Sequence, residues 1–275
     1  MAQRYDAASE RYGRWWAPIL EPTALRFVAG VADRLAADPE RVLDVGTGTG
    51  VLALEGVRRW RAAQITALDG SSGMLAAARA RADATLADDE RRRLDLVVGD
   101  AENLPFPDGR FDLVVSSFVF QLVASRPRAL AEARRVLRPG GLLAYVTWQD
   151  DDAPWPPQEA FDRAVEDLEL DEDEIAEELR SGDVPSAGAA AAQLRRAGFR
   201  SVEADQDWLE YRWTADSYLD FLEQYDEWDL FSSLDEADRR QLRDRAALRL
   251  GRLRPEEFRW RTPVVVATGR RPGRA

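Results

Sequence analysis

The sequence contains no Cys and no His, and all 38 of its basic residues are Arg, because Lys is absent as well. Each absence removes a chemistry. Without Cys there is no disulfide framework, no thiolate nucleophile and no Cys-ligated zinc or iron–sulfur site. Without His there is no Ser-His-Asp triad, no imidazole acid or base and no imidazole-bound metal, so no metal site is expected. Without Lys there is no Schiff base and no phosphate-loop Lys. Long apolar runs are missing too. No stretch approaches the roughly 20 apolar residues of a membrane span. The first twenty residues carry Arg4, Asp6, Glu10, Arg11 and Arg14, unlike a signal peptide, so the expected location is cytoplasmic with no membrane partner. Any catalysis must rest on carboxylates, hydroxyls, amides, Arg and positioning.

What remains is an ordinary soluble composition, 45% hydrophobic and 32% charged over 275 residues, enough for one sizeable core. The net charge of −12 is uneven. Residues 150–178 hold fourteen acids and a single base, Arg163, and the rest of the chain is close to neutral, with 36 acids against 37 Arg. Two readings stand: a solvated helix face, or a lid whose field attracts a cationic substrate. Nucleic acid is not an expected partner, because the acids would repel phosphates and the Arg residues are scattered.

Strands and helices alternate from residue 41 onward. Strands are expected at 41–46, 64–70, 95–100, 111–117 and 142–148, with helices at 51–60, 71–87 and 128–137. Arg138-Pro139-Gly140-Gly141 closes the last of these. An earlier helix is expected at Thr23–Ala36, and later strands at Ser201–Trp213 and Arg261–Gly269. The rhythm predicts an α/β fold with a Rossmann-like, seven-stranded, mostly parallel sheet, helices on both faces, and helical insertions after the fifth and sixth strands. One domain, 1–275, is expected. Its core spans 38–149, 186–213 and 259–275, its N-terminal cap is 1–37, and insertions at 150–185 and 214–258 form an acceptor lid. The aromatics Tyr218, Phe221, Tyr225 and Trp228 follow helical spacing, so they either form one buried face or line a cavity.

The strongest local signal is Asp44-Val45-Gly46-Thr47-Gly48-Thr49-Gly50, between a strand and a helix. Glycines there admit positive φ and close ligand approach, while the helix start supplies free N–H groups. The third glycine comes one residue early for the dinucleotide pattern G-x-G-x-x-G. Asp44 also suits an ammonium better than a pyrophosphate, which favours an amino-acid-bearing nucleoside over a nicotinamide dinucleotide. Asp69 ends the second strand, where an acid accepts from ribose hydroxyls, and Asp100 ends the third. Three acids at the ends of adjacent strands converge where open parallel sheets bind ligands.

Residues 41–148 resemble the core of the class I S-adenosylmethionine-dependent methyltransferases, in a subgroup similar to the ubiquinone/menaquinone-biosynthesis enzymes. The matching stretches are VLDVGTGTG (42–50), ALDGSSGML (67–75), GDAENLPFPDGRFDLVVSSFVFQLV (99–123) and ARRVLRPGGLLAYVTW (133–148). The resemblance implies S-adenosyl-L-methionine as cofactor and a small-molecule methyl acceptor, methylated on O, N or C by in-line displacement. It implies that Gly46, Thr47, Gly48 and Gly50 cradle the methionyl part, with Asp44 near its ammonium, and that Asp69 and Gly70 hold the ribose. Met74, Asp100, Ala101 and Glu102 would line the adenine pocket, Ser116 to Phe118 would flank the sulfonium, and Tyr5 and Tyr12 would close over the cofactor. Gln121 stands where many relatives have His, so no imidazole base is available there. Gln121, Trp148 and Trp155 are candidate acceptor contacts, and no catalytic base is assigned. The alternative is a non-catalytic binder of S-adenosylmethionine or S-adenosylhomocysteine. A nicotinamide oxidoreductase is disfavoured by the glycine spacing and the absence of Lys.

Overall fold

The computed structural model describes residues 9–168 and 180–273. Tyr5 and the acidic stretch 169–179 lie outside the described residues. The seven strands are β1 (Arg41–Val45), β2 (Gln64–Asp69), β3 (Leu94–Val98), β4 (Phe111–Ser117), β5 (Leu137–Trp148), β6 (Arg200–Arg212) and β7 (Arg259–Arg270). They form one sheet in the order β3-β2-β1-β4-β5-β7-β6. Neighbours from β3 to β5 pair in parallel, and β7 lies antiparallel between β5 and β6. The order reverses between β1 and β4, and the crevice beyond the carboxyl ends of those strands is where such sheets bind ligands.

The central strands are apolar without alternation because both faces are covered. Leu113 and Val115 of β4, with Leu142, Ala144 and Val146 of β5, pack into one core. The intervening Val114, Leu143 and Tyr145 pack into the other. The first core lies under α1 (Ala17–Ala32) and α2 (Val51–Arg59), the second under α5 (Arg126–Val136) and α7 (Ala187–Arg196). Between them in sequence lie α3 (Ser72–Thr85), the short α4 (Asp88–Arg91) and α6 (Pro156–Glu166).

Three boundaries differ from the sequence expectation. α1 starts six residues early, since Pro18 falls in its first turn, where the missing N–H costs nothing. β3 ends at Val98, leaving Asp100 in the following turn, and β5 begins at Leu137, so Arg138–Gly141 belongs to an irregular strand start. The 216–250 run is not one helix. It breaks into α8 (Ala215–Phe221), a π-helical turn (Leu222–Asp226), α9 (Trp228–Ser233) and α10 (Glu236–Leu250). The π turn changes the rotation per residue and disrupts the expected apolar stripe. Tyr218 and Phe221 are buried, Tyr225 is half-buried, and Trp228 emerges to solvent under the Arg11 guanidinium, 4.1 Å from its ring.

A second π-helical turn, Tyr12–Trp16, leads into α1 and packs on the first, with Trp16 stacked on Phe221 and Tyr225 at 5.6 and 6.0 Å. On the other face the buried Arg126 ties three segments together. Its guanidinium donates to the Phe120 carbonyl at 3.1 Å, to Gln193 Oε1 at 3.3 Å and to the Gly182 carbonyl. Arg126→Met keeps the volume and leaves those acceptors unpaired. The expected cost is about 2–4 kcal/mol, read as a melting temperature lower by roughly 4–12 °C. A melting temperature unchanged in calorimetry would show that Arg126 does not hold this junction.

Candidate active site

β1 delivers Asp44 to the bottom of the glycine loop, and the Gly46 and Thr47 amides donate to the Leu68 carbonyl at 2.7 and 2.9 Å, binding the loop to the end of β2. Two glycines there have different reasons. A Cβ on Gly46 would fall 2.3 Å from Val119 Cγ2, so this position is glycine because the chain after β4 presses against it. Gly48, at φ +54°, would meet nothing within 4 Å, so its backbone faces open space. That space is a cleft bordered by Tyr12, Asp44, Gly46, Thr47, Gly48 and Ser117.

Asp44 is 1% exposed. The Thr47 hydroxyl donates to its Oδ2 at 2.6 Å, while Oδ1 is buried with no hydrogen-bond partner. Burial pushes the carboxyl up to about 7, and the neighbouring Asp69 adds to this, against the opposing pull of the Thr47 hydroxyl and the Ala53 amide. A buried carboxylate oxygen without a donor, beside an open glycine backbone, is a vacancy of charge that an ammonium fits.

Asp69 organises the opposite wall. Its Oδ2 accepts from the Gly48 amide at 2.8 Å and its Oδ1 from the Ser71 amide at 2.9 Å. Gly70 is exposed beside it. Ser71 caps α3, accepting from the Met74 amide at 3.1 Å, and this sets Met74, 2% exposed, in the first turn. Asp100 is exposed, and its Oδ1 accepts from the Glu102 amide at 2.8 Å. Glu102 Oε1 accepts from the Ser125 amide at 3.1 Å, linking this turn to the start of α5, and Ala101 between them is half-buried.

Ser116 lies one residue before the end of β4. It is fully buried and its hydroxyl donates to the Val45 carbonyl at 2.8 Å, so its side chain is spent inside the sheet. Strand alternation gives the cleft to Ser117 instead. The next residue, Phe118, adopts φ +57°, with its amide donating to the Val146 carbonyl at 2.9 Å and its ring 4.5 Å from that of Trp148. A left-handed phenylalanine costs about 1–2 kcal/mol and persists only where packing holds it.

Beyond Phe118, whose ring packs on Trp148, opens a second cavity of about 450 Å³, bordered by Trp16, Gln121, Trp148, Asp150, Asp183 and Trp260 among others. Gln121 is buried, with its Oε1 accepting from the Thr147 hydroxyl at 2.9 Å. Trp155 does not border this cavity. It packs edge-on against Tyr218 at 4.8 Å and tilted against Trp260 at 6.2 Å. The sequence reading did not single out Trp260 or Asp183. They reach the cavity through the antiparallel pairing of β5 with β7 and through the bridge between Gln149 and Val184, which join positions far apart in the chain.

Comparison with known proteins agrees with this geometry. A family model described as "Methyltransferase domain" matches residues 43–145. Malonyl-[acyl-carrier protein] O-methyltransferase of Geobacter sulfurreducens is 38% identical over 219 residues, covering 79% of this chain and 74% of that protein. Ubiquinone/menaquinone biosynthesis C-methyltransferase of Dinoroseobacter shibae is 36% identical over 175 residues, covering 60% of this chain and 68% of that protein. Among solved structures, a putative methyltransferase from Bacillus halodurans superposes with a TM-score of 0.56 at 20% identity, covering 89% of this chain and 98% of its own. Phosphoethanolamine N-methyltransferase 2 of Haemonchus contortus, bound to S-adenosyl-L-methionine, gives 0.54 at 18%, covering 91% and 52%. At these identities the structural likeness speaks for the fold.

Proposed function

The chain belongs to the S-adenosylmethionine-dependent methyltransferases, and from that premise we propose that it methylates a small molecule held in the cavity beyond Phe118 while the cofactor lies over the glycine loop. The observation that carries the reading is the buried, partnerless Asp44 Oδ1 beside the open backbone of Gly48. Those residues fit the amino-acid end of the cofactor. Asp44 would hold its ammonium and the loop amides its carboxylate, Asp69 and Gly70 the ribose, and Met74, Asp100, Ala101 and Glu102 the adenine side. Tyr12, on its π-helical turn, would cover the bound molecule. When bound, the cofactor supplies a methyl group already activated by a sulfonium leaving group.

The protein's share is placement and exclusion of water. Trp16 and Trp148 border the second cavity, and Phe118 packs against Trp148. Gln121 neither gains nor loses a proton at neutral pH, and with Oε1 engaged by Thr147 it offers its amide N–H₂ to an acceptor. The cap 1–37 and the insertions 150–185 and 214–258 would act as walls and lid of one domain. Nothing in the comparisons favours a non-catalytic binder.

The test is calorimetry with S-adenosylhomocysteine, followed by a screen for its release from S-adenosylmethionine with matched amine, carboxylate and phenol acceptors. Micromolar binding is expected, with turnover confined to one acceptor class. Absence of S-adenosylhomocysteine binding would overturn the placement of the cofactor over the glycine loop.

A further inference from the structure

The acceptor cavity has a chemistry of its own. Its wall includes three indoles, Trp16, Trp148 and Trp260, with every pair of ring centroids 6.0–6.2 Å apart and tilted by 38–43°. Indole faces carry the most negative quadrupole among side-chain rings and attract cations. Its charged border is Asp150, Asp151 and Asp183 against Arg180, an excess of two negative charges.

Among the described residues these acids make no ion pair. Asp151 Oδ1 accepts only from its own loop, the Ala153 amide at 3.1 Å. Among the described residues, the Asp150 and Asp183 carboxylates make no ion pair or hydrogen bond, and Arg180 makes none either. Arg126 lies close enough to be felt by Asp183, but its donors go to carbonyls and Gln193. Partial burial, then the like charge of Asp150, raises the Asp183 carboxyl, and Arg180 and Arg126 offset only part of this. The backbone around them is fixed. The Asp150 amide donates to the Val184 carbonyl at 2.9 Å, the Val184 amide to the Trp148 carbonyl at 3.2 Å and the Gln149 amide to the Pro263 carbonyl at 3.1 Å.

We propose that this cavity binds the acceptor molecule through an organic ammonium group, held between the Trp16–Trp148–Trp260 wall and the Asp150 and Asp183 carboxylates; that cation is the recognition handle and, having no lone pair, is not the atom that takes the methyl group. This rests on the reading that the cavity beyond Phe118 is the acceptor site. A neutral aromatic acceptor would use the indoles and leave the acids uncompensated. An anionic one, such as a malonyl group, would face three carboxylates and a single Arg.

The test uses the full chain saturated with S-adenosylhomocysteine, titrated by tryptophan fluorescence and calorimetry. Probes are matched sets of benzyl, phenethyl and indolylethyl ammonium ions, alcohols and carboxylates. In at least one set the ammonium member is expected to bind about tenfold or more tighter than both counterparts. That preference shrinks as NaCl rises from about 50 to about 500 mM. The double variant Asp150→Asn/Asp183→Asn is expected to lose about tenfold in ammonium affinity, as is Trp260→Leu. Both should keep the parental far-ultraviolet spectrum. Alcohols or carboxylates binding as tightly as the ammonium ions in every set, or a double variant that keeps the preference, would overturn the proposal. S-adenosylhomocysteine binding is measured first on each sample. Its loss in the parent protein tells against the cofactor site, whereas its retention without ammonium preference tells against this inference alone.

Discussion

Asp44→Asn is expected to stabilise the cofactor-free protein and to cripple cofactor binding. The folded carboxyl sits at about 7 against an ordinary 3.8, because it is fully buried and near Asp69. Between those two values the unfolded chain releases a proton that the folded chain retains. Stability is therefore complete below pH 3.8, falls as pH rises towards 7, and carries the full penalty above 7. That penalty is about 4 kcal/mol. Asn removes the charge and keeps an acceptor for the Thr47 hydroxyl, so at pH 8 the apo melting temperature should rise by about 5 °C or more. The same change removes the counter-ion for the ligand's ammonium, costing about 30-fold or more in S-adenosylhomocysteine affinity. For the parent, affinity between pH 5 and 7 should rise with pH, since protonated Asp44 must first lose its proton, and the variant's profile should be flat. Calorimetry in buffers of different ionisation enthalpy reads that proton directly. A variant that binds like the parent would take Asp44 out of the cofactor site.

The three acids of the candidate site were legible in the sequence because their positions are local. An acid two residues before a glycine turn, a second acid ending β2 and a third just past β3 occupy positions that strand–helix alternation alone brings to one crevice. The order of the β1–β5 half follows from the same periodicity. What escaped depends on phase or on contacts across the chain. Ser116 and Ser117 differ by one residue, and only the pairing of β4 decides which faces Val45 and which faces the cleft. Trp228 left the expected apolar stripe because a π-helical turn resets the rotation. Nothing local marks Trp260 or Asp183 as partners of Trp148, and the left-handed φ of Phe118 has no sequence signature.

The acidic segment divides in the same way. Asp167 pairs with Arg245 and Arg249, and Glu159 with Arg163, as solvated helix faces do. Asp150 and Asp151 instead border the cavity. The solvated-face reading therefore holds for Asp167 and Glu159, the cation-attracting one belongs to the proposal above and concerns Asp150 and Asp151, and the acids at 169–178 lie outside the described residues.

Asp69→Ala is expected to reduce S-adenosylhomocysteine affinity by about 100-fold, because its carboxylate has two tasks. One oxygen accepts the Gly48 amide and the other the Ser71 amide, and the same carboxylate would take the ribose hydroxyls. Truncation deletes the ribose acceptors and also frees the Gly48 amide, loosening the loop that receives the methionyl end. Asp69→Asn is not a mild alternative. Both oxygen positions face N–H donors, so either orientation of the amide sets an NH₂ against an N–H, and a loss of about tenfold or more is expected. Asp100→Ala offers the contrast. That carboxylate is exposed and accepts only the Glu102 amide two residues on, so a loss below about tenfold is expected. Asp69 also raises the Asp44 carboxyl, so its removal favours the charged Asp44 and offsets a small part of the loss. That offset is absent when residue 44 is Asn, so the double variant Asp44→Asn/Asp69→Ala should lose slightly more than the sum of the single effects. Calorimetry on the four proteins of that cycle, with far-ultraviolet spectra as the folding control, gives each quantity. Equal losses for Asp69→Ala and Asp100→Ala would show that the ribose is held elsewhere.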